Sequence, residues 1–131
     1  MSSKKTILNI FNNYESVEEY GRKIWKIIHT KAIKADTKSK QSEFIDMMHF
    51  ICKNFKCDKC KIHCSNYLST NPPERYLNTT VNVNGVKKNL GLFVWSWKFH
   101  NSVNTRKGYP NISLQTAYNM YSGNSGMVHL N

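Results

Sequence analysis

Residues 50–68 read "FICKNFKCDKCKIHCSNYL", and all four cysteines of the 131-residue chain lie inside them. The spacing is Cys52-x4-Cys57-x2-Cys60-x3-Cys64, with His49 and His63 close by. Three chemistries compete for such a run: a zinc site, a structural disulfide and a working dithiol. A closed zinc site needs four ligands, and a CxxC supplies two from one turn. The second pair normally comes from another CxxC or an HxxxH, and the chain contains neither. A CxxC that opens a helix puts its first sulfur against unpaired N–H groups and the positive end of the helix dipole, which favours thiolate. Lys56, Lys59 and Lys61 act in the same direction. A CxxC alone leaves zinc and redox chemistry both open, with a catalytic Cys57–Cys60 redox pair and no metal as the favoured reading. Cys52 and Cys64 stay open between free core thiols, a shuttle pair and a structural disulfide.

The surroundings of this run read as helical. Residues 16–33 carry Val17, Tyr20, Ile24, Ile28 and Ala32 at helical spacing, with Ser16 as N-cap and Glu19 three residues on. A second helix is expected over 43–55, a third from Cys57 to about Ser69 before "NPP", and a fourth from about Leu92 to Lys107, ended by Gly108. A short fifth falls near 113–122. Between the third and fourth, Val81, Val83 and Val86 alternate with polar residues around an Asn-Gly pair, the signature of a small hairpin. The expected fold is all-α, a four-helix bundle plus a short fifth helix with a hairpin excursion. It forms a single domain over 1–131, with 1–13 an N-terminal extension and 122–131 a flexible tail.

The formal net charge is +11. Such a balance suits nucleic acid or simple solubility. The basic residues are scattered and are mostly lysine, with asparagine as abundant, so a zinc-stabilised basic nucleic-acid-binding module is the alternative reading. A non-enzymatic helical interaction protein with inert core cysteines is a third. No stretch has the apolar length needed to span a bilayer, and the N-terminus does not read as a signal peptide. No membrane partner and a cytoplasmic setting are the expectation.

A dithiol that is to be reoxidised needs an electron acceptor. Trp25 and His29 lie one turn apart on the first predicted helix, with Gly21 and Arg22 a turn earlier. On the fourth, His100 and Asn104 share a face, with Trp97 and Asn101 beside them. Burying so many polar groups on two helices is costly without a polar ligand. A large planar cofactor answers that need: tryptophans stack on it, asparagines and histidines bond its edges, and Arg22 holds phosphate.

The blocks "GRKIWKIIHTKA", "CDKC" and "WSWKFHNSVN" resemble, in order, the GRxxWxxxHxxA, CxxC and WxxxxHNxVN pattern of the Erv/ALR family of FAD-linked sulfhydryl oxidases. Gly21, Arg22, Trp25, His29, Ala32, Cys57, Cys60, Trp95, His100, Asn101, Val103 and Asn104 fill every specified position. His63, Tyr67 and Leu68 after the CxxC, with the short chain, especially resemble the minimal members encoded by large cytoplasmic DNA viruses. The resemblance implies a helical bundle binding FAD, usually a homodimer, acting on protein thiols through a redox disulfide and passing electrons to dioxygen to give hydrogen peroxide. It places Gly21, Arg22, Trp25, His29, Cys60, His63, Tyr67, Trp97, His100, Asn101, Val103, Asn104, Arg106, Lys107 and Tyr118 at the cofactor. Arg106 or Lys107 stands in for a phosphate-binding lysine that the family carries just after the third block. The viral likeness implies the host cytoplasm or its viral factory, even the virion, and a thioredoxin-like carrier as client.

Overall fold

In the computed structural model, which describes residues 2–131 without the side chain of Ser2, helix boundaries follow local capping chemistry. α1 spans Ser2–Asn12, α2 Val17–Ile33, α3 Lys38–Asn54 and α4 Asp58–Thr70. A 3₁₀ turn at Pro73–Tyr76 leads into a hairpin of β1 (Thr80–Val83) and β2 (Val86–Asn89). α5 (Gly91–Lys107), α6 (Leu114–Ser122) and β3 (Val128–Leu130) complete the chain.

α2 starts where expected. The Ser16 hydroxyl accepts the Glu19 N–H at 3.1 Å, and the Glu19 carboxylate accepts the Glu15 N–H, one residue short of a reciprocal capping box. Tyr20, Ile24, Ile28 and Ala32 form the buried stripe. α3 begins five residues before the expected Glu43, because Thr37 caps it by accepting the Lys40 N–H at 3.2 Å. Its first turn, Lys-Ser-Lys-Gln, has no apolar residue to mark it in a hydrophobic pattern. α5 buries Gly91 to Ser96 without a break, as a central helix does. A Cβ at Gly91 would collide with the Tyr76 carbonyl, so glycine there lets α5 lie directly on the 3₁₀ turn. Gly108, with φ 79°, ends α5 in the left-handed region.

Two ends of the chain differ from the sequence expectation. The extension over 1–13 contains α1, whose Ile7 and Phe11, one turn apart, are fully buried. Phe11 meets Tyr20 and Phe55 at ring separations of 5.5 and 5.2 Å. Asn9, which breaks the apolar run in the sequence, simply faces out. The tail expected to be flexible supplies β3. It pairs antiparallel with the free edge of β1, so the sheet order is β2-β1-β3. The hairpin itself is as expected, with Asn84 and Gly85 both at positive φ (52° and 84°), the conformation of a two-residue type I′ turn. The Asn84 side chain also accepts the Met127 N–H at 2.8 Å and so anchors the returning chain.

Cys52, at the end of α3, is joined by a disulfide to Cys64 in α4. Both are buried, whereas Cys57 and Cys60 between them are free thiols, partly exposed.

If α1 is an integral part of the core, Phe11→Ala costs about 3 kcal/mol or more. Thermal denaturation should then show a melting temperature lower by roughly 10 °C. An unchanged value would mean that α1 contributes nothing to the fold.

Candidate active site

The redox turn is built by the start of α4. Cys57 is the N-cap, with extended backbone, and its sulfur accepts the Cys60 N–H at 3.3 Å. A sulfur in the cap position takes the place usually held by a serine or aspartate oxygen, and it is stabilised most as an anion. The Cys60 thiol, the Cys60 N–H and the Lys59 N–H together draw the Cys57 thiol below its ordinary range, against slight burial and the charge of Asp58. Cys60 moves the other way. Burial, its hydrogen bond to Cys57 and the charge on Cys57 push it up, and the Lys107 and Arg106 cations offset part of this. In the reduced pair, then, Cys57 is the more acidic thiol and Cys60 the one that keeps its proton longer. The Tyr20 hydroxyl adjoins both sulfurs. Burial first, then the charges of Cys60 and Cys57, hold it at about 12, so it remains a neutral donor.

Beside this turn lies a cleft of about 530 Å³ between α2 and the C-terminal half of α5, closed by α6. From α2 come Gly21, Arg22, Trp25, Lys26 and Thr30; from α5 come His100, Val103, Asn104 and Lys107. Tyr109, Met120 and Tyr121 complete it, with Val17 and Glu18 at the rim. A Cβ on Gly21 would meet nothing within 4 Å, so the α2 backbone is bare toward the cleft at that point. Lys107 joins the two features: it lines the cleft, and its charge acts on Cys60.

Behind the cleft wall His29 is fully buried. Its Nδ1 lies 2.9 Å from the Ser96 hydroxyl and its Nε2 lies 2.8 Å from His100 Nδ1. Burial, then the neighbouring His100, lowers the His29 pKa to about 3, and burial lowers that of His100 to about 4. Both rings are therefore neutral at neutral pH. Trp25 stacks directly on His100, with centroids 3.9 Å apart and planes 3° from parallel. From the sequence, tryptophan is expected to stack on a cofactor and histidine to bond its edge; in the structure Trp25 and His100 stack on each other.

The other expected site residues divide clearly. Gly21, Arg22, Trp25, His100, Val103, Asn104 and Lys107 meet at the cleft. Trp97 and Asn101 do not: the Trp97 indole N–H and the Asn101 amide both donate to the Ile112 carbonyl, at 2.8 and 2.9 Å, and Asn101 accepts the Ile112 N–H at 3.0 Å. They fix the chain just ahead of α6. Tyr118 is buried against Phe93, Tyr67 packs on Trp95 and Phe99, and His63 and Arg106 are exposed. Trp95 is a core residue whose indole N–H reaches the Asn71 carbonyl at 2.7 Å. Sequence reasoning missed Lys26, Thr30, Tyr109, Met120 and Tyr121. For two of them a signal existed, since Arg22, Lys26 and Thr30 follow one another at i,i+4 along α2. The Cys52–Cys64 disulfide leaves only two thiols for a metal, and no group of three or more candidate ligands exists among the described residues. A smaller cavity of about 200 Å³, lined by Lys4, Lys31, Lys34 and Lys40, contains neither a cysteine nor a histidine.

The two lowered histidine values fix the sign of a pH effect. An unfolded histidine titrates near 6.5, so between pH 6.5 and pH 4 the unfolded chain binds more protons and stability rises with pH. His29 alone withdraws about 2 kcal/mol between pH 7 and pH 5. Melting curves across that range should show a steady fall on acidification, and a flat profile would contradict neutral burial.

Comparison with known proteins follows the same lines. A search of curated protein sequences finds no match. Among solved structures, the yeast Erv1 core superimposes with a TM-score of 0.66 at 20% identity, over 83% of this chain and 86% of that one. The FAD-binding domain of Erv1 from Saccharomyces cerevisiae gives 0.66 at 20% identity, over 84% and 97%. At that identity the likeness carries the fold. The Erv1 / Alr family profile matches residues 22–122, a span that runs from Arg22 at the cleft through both free sulfurs to the end of α6. The chain belongs to the Erv1/Alr family, whose members are FAD-dependent sulfhydryl oxidases.

Proposed function

We propose that this chain oxidises protein dithiols through a Cys57–Cys60 disulfide, with FAD held in the cleft between α2 and α5 and dioxygen as the final acceptor. One observation carries the proposal: a polarised thiol pair adjoins an aromatic, basic cleft, and Lys107 belongs to both. The residues present suit the cofactor. The cleft lies within the size range of small-molecule sites. Trp25, Tyr109 and Tyr121 offer aromatic surface, the bare backbone at Gly21 admits a flat ring, and Arg22, Lys26 and Lys107 suit a pyrophosphate.

The chain's own steps follow from the sulfur chemistry. In the oxidised enzyme a client thiolate attacks Cys57 Sγ. The Cys57–Cys60 bond breaks and its electron pair passes to Cys60, whose anion faces the Lys107 and Arg106 cations. The client's second thiol gives its proton to the Cys60 thiolate and, now a thiolate itself, attacks the client sulfur of the mixed disulfide. Cys57 leaves as a thiolate onto the N–H groups at the start of α4, the best-stabilised anion of the pair. The client has lost two electrons and the enzyme has gained them; one proton remains on Cys60. Tyr20, neutral at any physiological pH, stands by as a hydrogen-bond donor to that sulfur. Bound FAD would accept the electron pair of the dithiol and pass it to dioxygen, yielding hydrogen peroxide.

The purified protein incubated with FAD should retain it through desalting and show the visible flavin absorbance. Cys57→Ser and Cys60→Ser should retain the flavin yet consume oxygen with a dithiol substrate at least about a thousandfold more slowly. A protein that takes up no flavin, or full turnover by Cys57→Ser, would refute the assignment. In the reduced protein, iodoacetamide should alkylate Cys57 well before Cys60, with its half-maximal rate at a pH below that of an ordinary thiol. Equal rates for the two would contradict the polarity deduced for the pair.

A further inference from the structure

Ser96 stands at an unspecified position of the third sequence block and does not line the cleft, yet it is fully buried one turn before His100 on α5. Its hydroxyl has a single proton and two neighbours that can accept it: the Phe93 carbonyl at 2.8 Å and His29 Nδ1 at 2.9 Å. Two arrangements of the neutral histidine pair follow. In the first, Ser96 donates to Phe93 and accepts from His29 Nδ1–H. His29 Nε2 is then bare and must accept from His100 Nδ1–H. This arrangement makes three hydrogen bonds. In the second, Ser96 donates to His29 Nδ1, and His29 Nε2–H donates to His100 Nδ1, which makes two. Inside a water-free core an unmade bond has no solvent replacement, so the first arrangement wins.

We propose that Ser96 is a positioning residue that locks His100 in its Nδ1–H tautomer, leaving Nε2 without a proton at the cleft. Nδ1 is turned inward to His29, so the opposite edge of the ring is the edge that lines the cleft. Trp25 covers one face of the ring, at 3.9 Å, and prevents the imidazole from tilting away. The consequence is a specificity rule. Arg22, Lys26 and Lys107 offer the cleft only donors. His100 instead presents an acceptor, and the part of a ligand that reaches it must carry an N–H or O–H. The opposite tautomer would favour a carbonyl or bare ring nitrogen at the same point. That the ligand is a flavin nucleotide rests on the function proposed above; the tautomer does not.

The test uses long-range ¹⁵N–¹H NMR of the imidazole rings in the ligand-free protein at pH 7, followed by titration with FAD. In the unmutated chain, both rings should show a protonated Nδ1 and a bare Nε2. Ser96→Ala removes the acceptor of His29 Nδ1–H, so both rings should shift toward Nε2–H and FAD affinity should fall about tenfold, the loss of one hydrogen bond. Ser96→Thr keeps the hydroxyl and should restore both the tautomers and the affinity. A proton on His100 Nε2 in the unmutated chain overturns the proposal, as do unchanged tautomers in Ser96→Ala. If Ser96→Ala does not fold, the spectrum of the unmutated chain still decides. The expected tautomers without any FAD uptake would uphold the role of Ser96 and sink the flavin reading.

Discussion

An imidazole buried away from water is tolerated only when both ring nitrogens have partners, because the desolvation cost of each is otherwise uncompensated. His29, fully buried on α2, finds both of its partners on α5. That requirement sets the spacing and rotation of the two helices more sharply than apolar contact does. A slip of one residue along either helix would leave a ring nitrogen orphaned, whereas methyl groups would repack. No buried side-chain polar atom among the described residues lacks a hydrogen-bond partner, so the constraint is fully met. The rest of the site follows: Trp25, one turn before His29, is carried onto the face of His100, and the cleft opens beside the stacked pair.

The dithiol is positioned by a different kind of bond. α4 buries only Cys64 and Leu68, too little apolar surface to hold a helix that must present a reactive sulfur at its cap. The Cys52–Cys64 disulfide provides the anchor, across a sequence separation of 12 residues. Closing a loop of that size in the unfolded chain corresponds to about 3 kcal/mol. The redox turn lies inside the closed loop, so the covalent bond restrains both ends of the segment carrying Cys57 and Cys60. Burial separates the roles of the two pairs. Cys52 and Cys64 are each 2% exposed, out of reach of an attacking thiolate, while Cys57 and Cys60 are partly open.

How far the sequence reveals this depends on whether the signal is local. The α2 stripe, the Ser16 cap, the Asn84-Gly85 turn and the position of Cys57 at a helix start are all legible within a few residues. α1 is not, because among its described residues the fully buried ones are Ile7 and Phe11, and their value depends on Tyr20 and Phe55 meeting them from elsewhere. The same limit explains the tryptophans of α5. Helical spacing shows that Trp97 neighbours Asn101 and His100, but not which of them faces a ligand. The Ile112 carbonyl, fifteen residues on, claims both Trp97 and Asn101, and no periodicity encodes it. The Cys52–Cys64 pairing likewise depends on how α3 returns along α4, which a list of spacings leaves open.

The last turn of α5 decides between two residues that the sequence leaves equal. Arg106 and Lys107 are adjacent cations at a helix C-terminus, where both complement the negative end of the dipole. One residue of helix is a rotation of about 100°, so neighbours cannot share a face. Lys107 falls on the face that lines the cleft, and Arg106 falls outside it. The Gly108 cap, in the left-handed region, ends the helix immediately afterwards and holds this phase, with the Tyr109 N–H returning to the Asn104 carbonyl at 2.8 Å. Lys107 is therefore the one of the two cations that lines the cleft, where a phosphate of the proposed cofactor would meet it. Because its charge also acts on Cys60, a phosphate that neutralised it would remove one of the two influences lowering that thiol and leave the proton more firmly on Cys60. Occupation of the cleft by the proposed cofactor and polarity of the dithiol would in this way be coupled through one side chain.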